Sequence, residues 1–538
     1  MALGSLPTTL NDHTVLGDTE AGRLVASAVW VQVFQVGPSL SPALDTAVIQ
    51  SAEVVSVSPQ TVVYQIAPQA KWSDGVPVTA ADFQYAWRSQ RGGALDVDGT
   101  PDSVASTLGY DDIQSVASSN HGRTVTVIFR TPYADWESLF DDLLPAHIAE
   151  QVGWNLGFDQ FDSHVLVSAG PWLIEKWIPG QEVVLVHNPR WWGTVPRYNR
   201  IVLEVVNDPT VLARDLRTGR LTVAAPSTFA APLVSELSSL PKTESQSNLG
   251  TTMLQLEFNV RHAPLSSVAV RQGIAHSLDR STIATSVTQP FDHLAWVDDS
   301  HLFANLEHAY EDNGTDYETA DPGVADAFLA QGGLVADAHG TWTLHGAPVT
   351  LDLTWADDDP WSAAVGPLIA GQLVGAGFDV DTLPVSGSQL FDAVLPSGDF
   401  QLALVPVDAT AYPSQLGGVF SSTVTAGSPG LAQDWTGFDD SKVDALFTQA
   451  EQDLSANQSG AMYQEIDTDL WLDMPTLPLL AEPDFVAFSA SLVGFRDDPG
   501  GLGALWDMSE WAPLVAGPTQ PASASKELGH GRANMRPA

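Results

Sequence analysis

A chain of 538 residues with 44% hydrophobic content and 17 Trp, 20 Phe and 9 Tyr has apolar material for two to four cores, which excludes disorder over most of its length. Its 65 acidic and 22 basic residues leave a net charge of -43, which repels phosphate backbones and anionic headgroups, so nucleic acid is excluded as a partner. The absence of cysteine excludes disulfides, thiolate metal sites and cysteine nucleophiles.

In chain order, residues 1–10 lack the basic and apolar regions of an export signal, and no later run of about 18 apolar residues reads as a membrane span. β-branched alternation predicts strands over 61–66 and 124–129, separated by a helix over 80–90 that opens at Thr79 with Asp82 in its first turn. Strands over 182–187 and 201–206 flank an Asn188-Pro189 stop, with Trp191 and Trp192 as an apolar plug. Next come a strand over 251–259, helices over 268–278 and 323–331, a strand over 349–355 and a helix over 361–374. A strand over 401–407 and a helix over 441–453 follow, and residues 520–538, small and polar, read as a disordered tail. The alternation of element types predicts a mixed α/β fold, and without a fixed period a solenoid or propeller is not expected.

Catalytic signatures are missing: there is no Gly-x-Ser-x-Gly, no His-Glu-x-x-His, no phosphate loop and no dinucleotide fingerprint. The 13 His never pair at i, i+4, so a helical metal site is not expected, and no cofactor is expected either. Asp141-Asp142, Asp357-Asp358-Asp359 and Asp439-Asp440 leave a carboxylate-dependent hydrolase as the enzyme alternative, although adjacent Asp residues on loops usually face water. The expected reading is a non-enzyme.

Five segments in order resemble the family 5 solute-binding proteins of bacterial importers. They are residues 62–88, with Lys71-Trp72-Ser73-Asp74-Gly75; 169–221, with Ala169-Gly170-Pro171-Trp172; 256–280; 325–378; and 435–446. Within the second, Arg220 and Thr222 stand where the family has Glu and Asp. The resemblance implies a two-lobed periplasmic-binding-protein-like α/β fold of class II, cluster C type, with a discontinuous first lobe and an extra subdomain. Domain I would take residues 1–53, 167–262 and 486–519, domain II 54–166 and domain III 263–485. Hinge crossings would lie near 261–264 and 483–487. It also implies an extracytoplasmic monomer, tethered as a cell-envelope lipoprotein, that captures an oligosaccharide, other glycan or peptide for an ABC transporter permease. A narrower resemblance, carried by residues 4–13 and 62–82 and the Lys-poor composition, is to the LpqW-like branch of actinobacterial lipoproteins linked to envelope glycolipid biosynthesis.

By the same resemblance the ligand lies against residues 13–17, 254–258 and 405–413, which makes His13, Leu16, Leu256, Val405, Val407, Asp408, Tyr412 and Trp435 the expected contacts. Trp296, Trp355 and Trp361 are further aromatic candidates. The chain departs from the family at the position that anchors a peptide ammonium. Ala409 stands there, Asp408 lies one place earlier and Pro406 interrupts the strand, so a neutral or polyhydroxyl ligand is expected at least as much as a peptide.

Overall fold

The structure is a computed structural model that describes residues 1–514 apart from 227–230, 290, 292–295, 423–433, 499 and 501–502; the expected tail over 520–538 lies outside the described residues. Ten strands form one mixed sheet. From edge to edge they are Asp379–Val385, Thr350–Ala356, Leu402–Asp408, Thr243–Phe258, Thr476–Ser489, Val223–Ala225, Ala2–Leu3, Arg200–Val205, Glu182–His187 and Trp172–Ile178.

The two long central strands join the halves of that sheet, pairing antiparallel from Thr243 with Ser489 to Glu257 with Thr476. Their register breaks twice, and a proline borders each break. Leu249 faces Pro483 but the next pair is Met253 with Ala481; Leu254 then faces Leu480 while Gln255 faces Pro478. At the first break a Cβ on Gly250 would lie 2.3 Å from the Glu482 carbonyl oxygen, so the close approach of the two backbones requires glycine.

A separate antiparallel sheet of Ile49–Val57, Gln60–Ile66, Thr124–Phe129 and Ile113–Ser119 carries the extra subdomain. Gln60–Ile66 alternates as a one-face strand, burying Val62, Tyr64 and Ile66. Helix Ala80–Gln90 opens with a full capping box between Thr79 and Asp82. The other Asp82 oxygen accepts the Ala146 N–H at 2.9 Å, which ties this helix to Ala146–Val152.

One apolar core draws on Leu3 to Phe34, Val48 to Leu203 and Val486 to Trp511; a second draws on Leu212 to Leu404 and Trp471 to Ala487. Arg220, the departure noted in the second matched segment, pairs with Asp215 and, at 3.1 Å, with Glu204.

Candidate functional site

A cavity of about 860 Å³ opens between the two cores, with walls from the N-terminal segment, the extra subdomain, the long strands and the stretch after Leu402–Asp408. His13, Val405, Val407, Asp408, Tyr412 and Trp435 line it. Leu16 does not; it is 67% exposed. Leu256 is fully buried in the second core, and because side chains alternate along a strand its neighbour Glu257 lines the cavity instead.

The His13 ring is fixed from two sides: Nε2 lies 3.1 Å from the Asp142 carbonyl oxygen and the ring stacks on Trp154 at 5.9 Å. Leu402–Asp408 pairs along its length with Thr243–Phe258, but pairs with Thr350–Ala356 only through Leu402 and Ala403, so residues 405–408 have an open edge. The Ala409 N–H donates to Thr251 O at 2.8 Å, and by antiparallel alternation the nitrogens of residues 406 and 408 point to that open edge. Pro406 therefore removes a donor on the side where an added strand would pair. Asp408 is exposed to the cavity and accepts from Thr252 Oγ1 at 2.8 Å, while Ala409 packs with Leu40, Met253 and Ala304.

Tyr412 does more than line the cavity. Its hydroxyl donates to the Glu137 carbonyl at 3.1 Å, the Ser414 N–H donates to Asp135 Oδ2 at 3.1 Å, and Ser414 Oγ meets Tyr133 Oη at 3.2 Å. These bonds fasten the turn after Leu402–Asp408 to the extra subdomain across one end of the cavity. Among the other aromatic candidates, Trp361 lines the cavity and packs on Phe291, Trp355 belongs to the second core, and Trp296 borders a smaller cavity of about 240 Å³. Tyr110 and Tyr133 line the main cavity and were not anticipated.

Among the described residues, eleven carboxylates line the cavity against one guanidinium, Arg23, and one imidazole, His13. Arg23 is engaged, its NH1 lying 2.6 Å from Asp18 Oδ1. Asp12, Asp141 and Asp142 form one group, Asp484, Asp497 and Asp498 a second, and Glu482 interacts with Asp359 and Asp408. Burial pushes the carboxyls of Asp141 and Glu257 up to about 8 and that of Asp498 to about 6. Burial likewise raises Asp142 and Glu482, with Asp12 adding like-charge repulsion at the first and Asp359, then Asp408, at the second. The other two aspartate clusters have local duties. Asp359 accepts the Ser362 N–H at 2.7 Å and Asp440 the Lys442 N–H at 2.6 Å, each capping a helix, and Asp358 holds the Gly387 N–H at 2.6 Å.

The chain matches Bacterial extracellular solute-binding proteins, family 5 Middle, over residues 42–426. The oligopeptide-binding protein OppA of Mycobacterium tuberculosis is 27% identical over 523 residues, covering 92% of this chain and 81% of that protein. The probable monoacyl phosphatidylinositol tetramannoside-binding protein LpqW of the same species is 26% identical over 384 residues, covering 65% of this chain and 58% of LpqW. Among solved structures, the periplasmic EDTA-binding protein EppA superposes with a TM-score of 0.84 at 26% identity, covering 95% of each chain. The oligopeptide-binding protein AppA from Bacillus subtilis superposes at 0.75 with 17% identity over 95% of this chain and 98% of its own, a likeness of fold alone. The fold is thus the two-lobed periplasmic-binding-protein-like α/β architecture with a discontinuous first lobe and an extra subdomain, and the named relatives are binding proteins. With the match extending from the extra subdomain through the strand that walls the cavity, the chain belongs to the bacterial extracellular solute-binding proteins of family 5, the solute-binding type of ABC importers.

Proposed function

We propose that the chain captures a small solute by closing its lobes over the 860 Å³ cavity and presents it to the permease of an ABC importer. One observation carries this reading: the cavity is walled by both halves of the molecule, at the point where the register of the two long strands that join them breaks. Domain I is assigned residues 1–53, 167–262 and 486–519, domain II 54–166 and domain III 263–485. The flexing points are placed at residues 249–253 and 481–483, so that one lies upstream of the 261–264 crossing. An extracytoplasmic position on a lipid tether is supported by the lipoprotein relatives of Mycobacterium tuberculosis, one of them 25% identical over 547 residues. Among the described residues no helix is long and apolar enough to cross a membrane.

Within the cavity His13, Val405, Val407, Asp408, Tyr412 and Trp435 are assigned as ligand contacts. Native mass spectrometry of freshly purified protein should reveal the co-purified solute, and small-angle scattering should show the radius of gyration falling at saturation. A bound ligand without contraction would refute capture by closure. Binding of mannosides with no permease-dependent uptake would instead favour an envelope-glycolipid role like that of the LpqW branch.

A further inference from the structure

We propose that the captured solute is an organic polycation, with at least two ammonium or guanidinium groups received by the cavity-lining carboxylates Asp12 and Asp142 on one side and by Glu482 or Asp498 elsewhere along the cavity wall. This rests on the capture reading above and names its ligand class. Asp142, Asp12 and Asp498 are 6%, 7% and 0% exposed, all three line the cavity, and each has a carboxylate oxygen that meets no hydrogen-bond donor among the described residues: Oδ1, Oδ1 and Oδ2 respectively. Glu482 Oε1 and Asp141 Oδ1, also lining the cavity, are bare in the same way. His13 Nε2 lies 3.8 Å from Asp12 Oδ1, beyond hydrogen-bond reach.

A carboxylate removed from water without a donor or a counter-charge is costly, so it either takes up a proton or meets a cation. Elsewhere some buried carboxylates are fully provided with donors, although Asp298 Oδ2, away from the cavity, is bare as well. Asp467, fully buried, accepts from the His301 N–H, Ser300 Oγ and Asn313 Nδ2; Asp82 accepts from Thr79 and Ala146. In the cavity Asp12 and Asp142 repel each other as like charges, and one oxygen of each meets no donor among the described residues. A cation arriving there relieves that repulsion.

Other ligand classes fit less well. An anionic chelate such as EDTA, the ligand named for the EppA neighbour, would meet eleven carboxylates and a single engaged arginine. A neutral glycan donates hydroxyls but leaves the charge uncompensated. Among the described residues no group of three or more His, Cys, Asp or Glu is arranged to hold a metal ion, which points to an organic cation rather than a bare metal.

The test is isothermal titration of the full chain at pH 7.5 and low salt with spermidine, trilysine, trialanine, maltotriose and Fe(III)-EDTA. Spermidine or trilysine should bind at least about tenfold more tightly than trialanine and maltotriose, and Fe(III)-EDTA not at all. Binding of spermidine alone identifies a free polyamine; binding of trilysine alone identifies a basic peptide. Asp142→Asn combined with Glu482→Gln should weaken polycation binding about tenfold or more while leaving the melting temperature unchanged or raised, because neutral amides are cheaper to bury than bare carboxylates. Lack of polycation binding at millimolar concentration overturns the inference, as does equal binding of trialanine or maltotriose. If a neutral probe binds with contraction, the charge assignment falls and capture stands; any bound probe that leaves the radius of gyration unchanged brings down capture itself.

Discussion

The side chain of Arg280 shows how one residue can organise a lobe. It is fully buried, and its guanidinium donates to the carbonyls of Tyr317, Asp298, Pro478 and Gly314 and to Asp299 Oδ1, at 2.6 to 3.0 Å, while lying 5.2 Å from the Trp471 ring centroid. A planar fork with five donors fits these acceptors; an ammonium with three does not. Arg280→Met should therefore destabilise the protein by about 3–5 kcal/mol, with Arg280→Lys between it and wild type, read from guanidinium chloride midpoints. An Arg280→Lys variant as stable as wild type would refute the fork argument. The residue closes the third family-like segment and so was visible in the sequence, but its role was not, because its partners reach from Asp298 to Pro478. The aspartate pairs give the same lesson. Asp440 caps a helix as a local rule suggests, whereas left-handed backbone at Phe140 (φ 67°) and Asp142 (φ 44°) turns an identical dipeptide inward.

Elements whose burial is regular were legible from periodicity. Helix Ala80–Gln90 and strands Thr124–Phe129 and Glu182–His187 coincide with the predicted residues, because each presents one face or one alternation to a core. The two strands that carry the cavity were legible only in part. The first half of Thr243–Phe258 is polar and contains Gly250, so only its apolar half read as a strand. Thr476–Ser489 contains Pro478 and Pro483, which local rules exclude from a central strand, yet both sit beside register shifts where a ladder donor is dispensable. The bare carboxylates Glu482 and Asp498 lie on or after that unrecognised strand, and their convergence with Asp12 and Asp142 is a tertiary fact. Gly250→Ala tests the importance of the break. Its Cβ would meet backbone at 2.3 Å, so the strands must separate, with an expected cost of about 1–3 kcal/mol and weakened solute binding. Gly371→Ala, in a helix with nothing within 4 Å, is the control and should be neutral or slightly stabilising in the same melts.

At the scale of the whole molecule, buried acids set a pH dependence that differs from that of most proteins. Burial holds Asp141, Glu257 and Glu307 up at about 8, Glu451 at about 7, and Asp82, Asp299 and Asp498 at about 6. In the unfolded chain these carboxyls titrate near 4. The folded state therefore binds more protons between about pH 4 and 8, and unfolding free energy must fall as pH rises through that window: their stabilising contribution is complete below about 4 and lost above 8. The net charge of -43 acts in the same direction, since ionisation adds to self-repulsion. Salt separates the two, because it screens the diffuse repulsion but leaves the desolvation of buried groups almost untouched. The melting temperature should thus be higher at pH 5.5 than at pH 8, and 0.5 M NaCl should recover only part of the difference. A flat profile, or complete recovery by salt, would show that the buried carboxylates do not control stability. If a polycation is the solute, its stabilising effect should grow as pH rises through about 6, because Asp498, held up there by burial, ionises in the free protein and no longer has a proton to be displaced on binding.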